Sequence, residues 1–187
     1  PAPIDGEIRL TARPLRVGRR LIVGDTELSA EGQAFGRATT TFMNVELPFS
    51  YREPRPEVPE FTATSPDEFI GVRRREDGTL ELPLSDHIAN GAQGTIQGGV
   101  QALLAEIAAD HALAHAAGTP DRRSTAVDLD IRYLGRLPVG PMVATAKVLA
   151  HDAQGGRVDV RLTDGGNGDS LVSFVSVRMV FADSAAG

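Results

Sequence analysis

The sequence predicts an α+β fold, in which one long helix precedes a set of antiparallel strands. Residues 99–117 are apolar or small almost all round, which is typical of a helix that is largely buried. After a stop at Gly118 and Pro120, residues 127–133 alternate apolar and charged side chains with a period of two. Such a strand has one buried face. A long apolar helix beside antiparallel strands indicates a layered α+β domain.

Further strands are predicted on both sides of the first one. Three segments rich in valine and other strand formers follow it, at residues 142–149, 157–162 and 171–181. Before the helix, residues 69–74 and 80–84 flank Glu76-Asp77-Gly78, which has the composition of a hairpin turn. We therefore expect a hairpin, then the helix, then four strands.

Two carboxylates lie inside the predicted helix, where an apolar setting makes a charged side chain costly. Glu106 and Asp110 are four residues apart, and like charges at that spacing destabilise a helix. Each carboxylate therefore needs a partner or a chemical task. The plainer interpretation, in which Glu106 is an ordinary solvated residue, stays open at this point.

A pair of glycines at the start of the helix favours ligand binding. Gly98 and Gly99 have no side chain to keep a ligand from the backbone N–H groups. The first N–H groups of a helix are donors without a helical partner, at the positive end of its dipole, so a developing oxyanion fits there. Glu106 follows about two turns later, within reach of the same ligand. The pattern is typical of a site that holds and attacks a carbonyl group, although a glycine pair also makes an ordinary turn.

The spacing around the glycines resembles that of the hotdog-fold acyl-CoA thioesterases, in particular the PaaI-like group. The family pattern is a glycine, two residues, His or Gln, two glycines, and an acid seven residues on. The matching residues are Gly94, Gln97, Gly98, Gly99 and Glu106. The later Tyr133-Leu134, with Pro138 and Gly140, is similar to a strand end and turn of the family. The resemblance covers roughly residues 68–182.

The resemblance implies a curved antiparallel sheet wrapped around one long central helix, and hydrolysis of an acyl-CoA thioester. It assigns the oxyanion donor to the N–H of Gly98 or Gly99 at the start of the helix. It assigns the role of base or nucleophile to Glu106. Many family members have His at the position of Gln97, and an amide there can orient a carbonyl or a water but cannot act as a base.

Four more residues belong to the predicted site. The family often has an Asn or Gln a few residues upstream that holds the attacking water. The resemblance therefore makes Asn90 the natural candidate, one residue further back than expected, and Gln93 can substitute for it. Asp110 stands where the family often has Ser or Thr, which predicts an effect on substrate polarity or on Glu106. Leu103, with nearby strand residues, predicts an apolar tunnel that favours a fatty or aromatic acyl chain.

The first part of the chain predicts a second, incomplete unit. Residues 7–15, 20–28 and 33–43 have the pattern of three strands and resemble the last three strands of the later domain. The pairs that match at one constant offset are Ile8 and Met142, Thr11 and Thr145, Ala12 and Ala146, Arg13 and Lys147, and Leu15 and Leu149. In addition, Gly32 falls near Gly168 and Phe42 near Phe181.

We therefore interpret the chain as part of a double-hotdog protein that lacks its N-terminal, helix-bearing portion or carries it on a different chain. The predicted organisation is a partial hotdog unit at residues 1–46, a Pro-rich linker at 47–66 and a complete hotdog domain at 67–187. The alternative is a short domain with a three-stranded extension whose sheet has one uncovered face. In both cases the segment needs a partner, so we expect a homo-oligomer or an assembly with the missing segment.

Composition and charge narrow the classes of function. Of 187 residues, 41% are hydrophobic and 24% charged, which suffices for a packed core in one large or two small domains. Cysteine is absent, which excludes disulfides and thiolate catalysis and is compatible with the cytoplasm, the compartment that we expect. A net charge of -6 argues against nucleic-acid binding, and no apolar run has membrane-spanning length.

Basic clusters and histidines offer further ligand contacts. Arginines cluster at residues 13–20, at 73–75 and at Arg122 with Arg123, and the last pair is our candidate for the phosphates of CoA. Solvated strand ends are the alternative explanation. His111 and His115 have a spacing that allows a shared metal, but no third ligand follows from the sequence, so we expect neither metal nor cofactor.

The sequence as a whole predicts an acyl-CoA thioesterase that releases a free acid and CoA. A hotdog hydratase or dehydratase is less favoured, because such enzymes normally need a catalytic His where this chain offers Gln97. A non-catalytic acyl-CoA-binding or scaffold protein is the other alternative. It keeps the cleft but lacks a competent base, and Glu106 argues against it.

Overall fold

A computed structural model of the chain describes residues 6–43, 65–89 and 95–182. The chain divides into two compact units, Pro1–Val58 and Pro59–Gly187. The predicted linker, residues 47–66, lies outside the described residues except for its last two positions. The predicted boundaries at residues 46 and 67 therefore stay predictions.

The first unit contains a three-stranded antiparallel sheet with the order β1-β2-β3. Its strands are β1 (Ile8–Val17), β2 (Leu21–Ala30) and β3 (Gln33–Met43). The centre of the sheet is occupied by Asp25, which is only 3% exposed. Its carboxylate accepts hydrogen bonds from Arg37 at 2.6 Å and from Arg13 at 3.1 Å, so the two outer strands are tied to the central one. These guanidinium groups, Arg37 foremost, hold the pKa of Asp25 below its usual range.

The second unit combines one long helix with a six-stranded sheet. Its elements are α1 (Pro66–Ile70), β4 (Arg73–Arg74), β5 (Leu80–Leu82), α2 (Gly98–Ala116), β6 (Ser124–Tyr133), β7 (Met142–His151), β8 (Gly155–Asp164) and β9 (Ser170–Phe181). The strand order is β4-β5-β7-β8-β9-β6, and every pairing is antiparallel. The strand that directly follows the helix therefore lies at one edge of the sheet.

Helix α2 packs on one face of this sheet and supplies the centre of the core. Alternate residues of β7, β8 and β9 face it, because side chains of a strand alternate between the two faces. The buried cluster includes Leu104, Ala105, Ala108, Ala109 and Leu113 from the helix, and Met142, Val158, Val160, Leu162, Val175, Val177 and Met179 from the strands. The small alanines let the helix approach the sheet closely. The predicted α+β layering is confirmed.

The segment before the helix differs in part from the prediction. Residues 69–74 were expected to form a strand, but Phe69 lies in the short helix α1, and only Arg73–Arg74 pair with β5. The hydroxyl of Ser65 accepts the N–H of Glu68, and Gly71 ends the helix at φ 80°, a left-handed conformation that glycine adopts without strain. These local capping signals outweigh the apolar character on which the strand prediction rested.

The repeat predicted from sequence extends to the pairing of the strands. Every pair of the β1–β2 ladder has its counterpart in the β7–β8 ladder at the same offset, from Ile8↔Ala30 to Met142↔Asp164. The β2–β3 and β8–β9 ladders also correspond pair by pair, from Leu21↔Met43 and Gly155↔Val180 onward, with a larger offset for β3 than for β2. Two bulges also coincide, at Leu15 and Leu149 and at Phe35 and Val172. By this correspondence Phe42 is equivalent to Met179, two residues before Phe181, near which the sequence comparison placed it.

Candidate functional site

The first turn of α2 presents backbone donors at an open surface. The helix begins at Gly98, one residue earlier than predicted, and the N–H groups of Gly98, Gly99 and Val100 have no acceptor among the described residues. Gln97 precedes the helix without capping it through its side chain. A Cβ added at Gly99 meets nothing within 4 Å. Since the first turn also carries the positive end of the helix dipole, this end of α2 suits a partial negative charge.

Tyr133 closes one side of the glycine pair. Its hydroxyl donates a hydrogen bond to the carbonyl oxygen of Gly98 at 2.9 Å, and burial raises the pKa of the phenol. A Cβ on Gly98 would lie 2.8 Å from that hydroxyl oxygen and 3.0 Å from Cζ of the ring. Gly98 is therefore required by this close approach, whereas Gly99 has free space around it. The sequence analysis named Tyr133 only as part of a family pattern and gave it no role.

Two glutamines hold the start of the helix in place. Gln101 is buried, its Nε2 donates to the carbonyl of Ile96 at 2.8 Å, and its Oε1 accepts from the hydroxyl of Ser173 in β9 at 2.6 Å. The exposed Gln97 donates from its backbone N–H to Ile88 and from its amide to Ala89. Gln97 therefore anchors the approach to the helix. The sequence analysis missed Gln101, whose only signal was a polar residue on an apolar helix.

Glu106 and Asp110 both bind the backbone at the start of the edge strand β6. Glu106 Oε1 accepts the N–H of Ala126 at 3.0 Å, and Asp110 Oδ1 accepts the N–H of Ser124 at 2.7 Å. Four helical residues rise about 6 Å and two strand residues span about 6.7 Å, so the two spacings match. Each of the two carboxylates in the apolar helix therefore has a hydrogen-bond partner, as its partly buried position requires.

Asp110 is the more fully occupied of the two carboxylates. It is 8% exposed, and besides the backbone of Ser124 it accepts that residue's hydroxyl at 2.7 Å and the guanidinium of Arg123 at 3.2 Å. Glu106 is half-buried, and the only hydrogen bond found for it within the described part of the chain engages one oxygen. Its second oxygen therefore stays available to a water or a substrate.

The arginine pair lies at the far end of the helix. Arg122 stacks its guanidinium over the ring of Phe181 at 4.1 Å, and its Nε is buried with no acceptor among the described residues. Arg122 and Arg123 line a surface hollow with residues 118–121 and Ala182. The 19 residues of α2 separate this hollow from Gly98 by about 28 Å. Within one copy, the arginines and the glycine pair thus do not form one compact site.

The remaining predicted site residues have no common location. Asn90, Gln93 and Gly94 lie outside the described residues. Leu103 is partly buried and packs against the core from the helix. Asn90 and Gln93 as water ligands, and Leu103 as a tunnel residue, therefore stay predictions.

One member of the histidine pair on α2, His111, contacts another side chain. Nδ1 of His111 lies 2.9 Å from the guanidinium of Arg74, and burial, with Arg74 beside it, lowers the pKa of His111. Across the described residues, no group of three or more His, Asp or Glu side chains is arranged to hold a metal ion. None of the helices described by the structure combines the length and the apolar character needed to cross a bilayer.

A buried aspartate shapes the loop that follows β6. Asp164 is fully buried and accepts the N–H groups of Val139, Gly140 and Gly166. The same loop donates the N–H of Leu137 to the hydroxyl of Thr95, just before α2. The contacts to Val139 and Gly140 join segments about 25 residues apart, so no short-range pattern in the sequence indicates them.

Comparison with known families agrees with this geometry. Residues 93–170 match the family model described as the thioesterase superfamily. The match contains the glycine pair, helix α2 and strands β6 to β8, and it confirms the resemblance drawn from the motif. The matched segment lies wholly within the second unit. A search among curated proteins finds no match to this chain.

Several solved structures have a similar fold, and one of those reported below is described as a thioesterase. A thioesterase from Haemophilus influenzae aligns with a TM-score of 0.54 and 13% identity over 64% of this chain and 84% of its own. The PaaI protein of the Escherichia coli phenylacetic acid degradation operon aligns with a TM-score of 0.50 and 18% identity over 62% and 83%. A Bacillus halodurans protein crystallised with CoA gives 0.52 and 18% over 62% and 74%. These likenesses confirm the predicted hotdog fold.

Proposed function

We propose that the second unit is an acyl-CoA thioesterase, which hydrolyses an acyl-CoA thioester to a free acid and CoA. The carbonyl oxygen accepts hydrogen bonds from the N–H groups of Gly98 or Gly99, which stabilise the charge that develops on it. Glu106 takes a proton from a water molecule as the water oxygen bonds to the carbonyl carbon. The tetrahedral intermediate then collapses, the C–S bond breaks, and the departing thiolate is protonated. In the second form of the proposal, Glu106 attacks directly, and water hydrolyses the resulting anhydride.

The observation that carries this proposal is the pair of complementary groups on one helix. The first turn of α2 offers unengaged N–H groups beside an open Gly99, and Glu106 keeps one carboxylate oxygen without a partner among the described residues. Seven residues of helix rise about 10 Å, and the side chain of Glu106 leans back toward the N-terminus, which shortens the gap. A carbonyl group and one water molecule suit the remaining distance.

Two observations support CoA as the thiol part of the substrate. The Bacillus halodurans protein of similar fold was crystallised with CoA. In this chain, Arg122 and Arg123 line a hollow where a guanidinium nitrogen lacks an acceptor among the described residues. Arginine binds phosphate groups with charge-assisted hydrogen bonds, so this hollow is our proposed contact for the phosphates of CoA. Because the hollow lies about 28 Å from Gly98 within one copy, the proposal requires that the arginines of one copy act together with the glycine pair of another.

A homo-oligomer completes the proposal. Strand β6 pairs only with β9 in the part of the chain that the structure describes, and an edge strand offers its backbone to a further strand. Val127 and Tyr133 of this strand, and Leu134 directly after it, are exposed. In an oligomer, the acid and the donors that act on one carbonyl come either from one helix or from the helices of two copies. Mixing a Gly99→Val variant with a Glu106→Gln variant separates these cases. If the acid and the donors come from two copies, a mixed oligomer contains a site with an intact glycine pair and an intact Glu106, so activity returns. If both come from one helix, every site keeps a defect and activity does not return.

The proposal is tested by measuring free-thiol release from short, long and aromatic acyl-CoAs. Glu106→Gln should abolish release, and Glu76→Gln, the same change at an exposed turn, should leave it unaltered. Glu106→Gln should also retain CoA binding, measured by calorimetry. If the intact protein binds acyl-CoA but releases no thiol from any substrate, it is a binding or scaffold protein. If Glu106→Gln retains full activity, the assigned chemistry is wrong.

A further inference from the structure

The sheet of the first unit has one apolar face that is exposed to solvent. We call this face, which contains Ile8, Leu10, Ala12, Val17, Ile22, Leu28, Ala38 and Phe42, the open face. Its membership follows from the strand register, in which Leu10 lies opposite Leu28, and Val17 opposite Ile22 and Phe42. Side chains that share a face in this way are usually buried in a core or an interface.

The centre of the other face of the same sheet is polar, although Leu21 and Met43, which pair at one end of that face, are exposed. It carries Thr11, Arg13 and Asp25, with Glu27 and Arg37 on the same side by register. Asp25 is held by both arginines through hydrogen bonds. At the centre of the sheet, the polar groups of one face bind each other, whereas the open face carries apolar side chains, and this contrast favours a cover on the open face.

The second unit contains the same sheet with its cover in place. Ile8, Leu10 and Phe42 correspond by register to Met142, Ala144 and Met179. The residues of the second unit are 0%, 1% and 1% exposed, because α2 lies over them, whereas those of the first unit are 46%, 64% and 58% exposed. The pairings and both bulges correspond one to one, so equivalent residues of the two sheets lie on equivalent faces.

We propose that the open face binds an apolar α-helix of a partner polypeptide, in the way that β7, β8 and β9 bind α2. The partner is a hotdog-like segment that has a helix of about five turns but lacks its own last three strands. A helix suits this face because the sheet that matches it in every pairing is covered by a helix in the same protein. If the open faces of two copies bound each other, sheet would pack against sheet. That arrangement would not explain why the strand pairing of the first unit matches that of a sheet covered by a helix.

The residues at the centre of the open face define the chemistry of that helix. Three central positions of the open face carry smaller side chains than their counterparts under α2. They are Gly24, Thr26 and Ala38, in place of Val158, Val160 and Val175. A helix bound to the open face therefore has more space between its backbone and the sheet. Core packing fills such space with larger side chains from the other layer. In α2, Ala105 and Ala109 are buried and share one helix face. At the two equivalent positions the partner helix therefore carries leucine or a residue of similar size.

The proposal is tested with the full chain and two synthetic peptides. One peptide has the sequence of residues 98–116, and the other adds Ala105→Leu and Ala109→Leu. Hydrogen exchange detected by mass spectrometry reports on β1 and β3, with β7 and β8 as an internal reference. We expect the leucine peptide to slow exchange in β1 and β3 saturably, and a scrambled peptide of the same composition to have no effect.

Variants on the two faces locate the contact. Leu10→Asp should weaken peptide binding by about tenfold or more, because it places a charge where an apolar side chain is buried. Thr11→Asp, on the opposite face, should change it less than about twofold. Both positions are exposed, so neither change affects folding. Failure of both peptides to protect β1 and β3 overturns the proposal. It is also overturned if the chain without peptide forms a dimer, by analytical ultracentrifugation, that Leu10→Asp dissociates.

Discussion

The contact between Gly98 and Tyr133 makes a sharp test of the geometry at the start of α2. In a Gly98→Ala variant, the new Cβ would lie 2.8 Å from the tyrosine oxygen, 3.0 Å from Cζ and 3.2 Å from Cε1. Such distances are shorter than ordinary van der Waals contact. Tyr133 is 54% exposed, so its ring can move outward, and the cost is the loss of its hydrogen bond to the carbonyl of Gly98.

The magnitude follows from these contacts. Loss of the hydrogen bond costs about 1 kcal/mol, and displacement of the ring from its rotamer about 1 kcal/mol more. The higher helix propensity of alanine offsets part of this, by less than about 1 kcal/mol at the first helical position. We expect Gly98→Ala to lower the free energy of unfolding by about 1 kcal/mol. Gly99→Ala, which meets no neighbour within 4 Å, should be neutral or stabilise by about 0.5 kcal/mol.

Urea unfolding followed by circular dichroism at 222 nm measures both variants, because α2 is the long helix of the described chain. The decisive control is a Tyr133→Ala background, in which the obstacle is absent. There, Gly98→Ala should behave like Gly99→Ala, which gives an interaction energy of about 1.5 kcal/mol in the double-mutant cycle. Equal destabilisation by Gly98→Ala in both backgrounds would refute the reasoning, as would equal effects of the two alanine variants.

Three further predictions concern buried polar groups. Gln101→Leu should destabilise by about 2 kcal/mol, because it leaves the hydroxyl of Ser173 buried without a partner, and Ser173→Ala should recover much of this loss in urea unfolding. Asp110→Ala should cost about 2 kcal/mol in the same assay through the lost N–H contact at the start of β6, whereas removal of its exposed partner Arg123 should cost less than about 1 kcal/mol. The pKa of Asp25 is lower in the folded state than its ordinary value of 3.8. The ionised carboxylate therefore stabilises the fold above pH 3.8, and this stabilisation is lost as the pH falls through the lower pKa of the folded state. Amide exchange in β1 to β3 should therefore accelerate in that acid range, beyond its intrinsic pH dependence, and Asp25→Asn should remove the extra acceleration.

The roles of Glu106 and Asp110 illustrate how a catalytic proposal and a structural contact coexist. Both carboxylates hold β6, but Asp110 accepts three hydrogen bonds, from the N–H and the hydroxyl of Ser124 and from the guanidinium of Arg123, whereas Glu106 accepts one, from the N–H of Ala126. Both oxygens of Asp110 are therefore engaged, and one oxygen of Glu106 has no partner among the described residues. Glu106 is therefore the better candidate for proton transfer, and Asp110 the better candidate for support of the strand.

The sequence by itself determined the elements and their order in much of the chain. The long apolar helix, the strands after it, the glycine pair and the repeat of three strands all follow from short-range periodicity, spacing or direct comparison of segments. The error at residues 69–74 arose where capping by Ser65 and Gly71 competed with a weak apolar pattern. Local signals of that kind are visible in the sequence but have to be weighed against each other.

Only the tertiary structure decided which polar groups meet. The hydrogen bond between Gln101 and Ser173 joins residues 72 positions apart, and Tyr133 reaches Gly98 across 35 positions. Such contacts depend on the register of the sheet and on the placement of α2 over it, which no short-range pattern encodes. The same holds for the open face, whose apolar residues are visible in the sequence. That they lie uncovered, while their counterparts under α2 are buried, is a fact of packing alone.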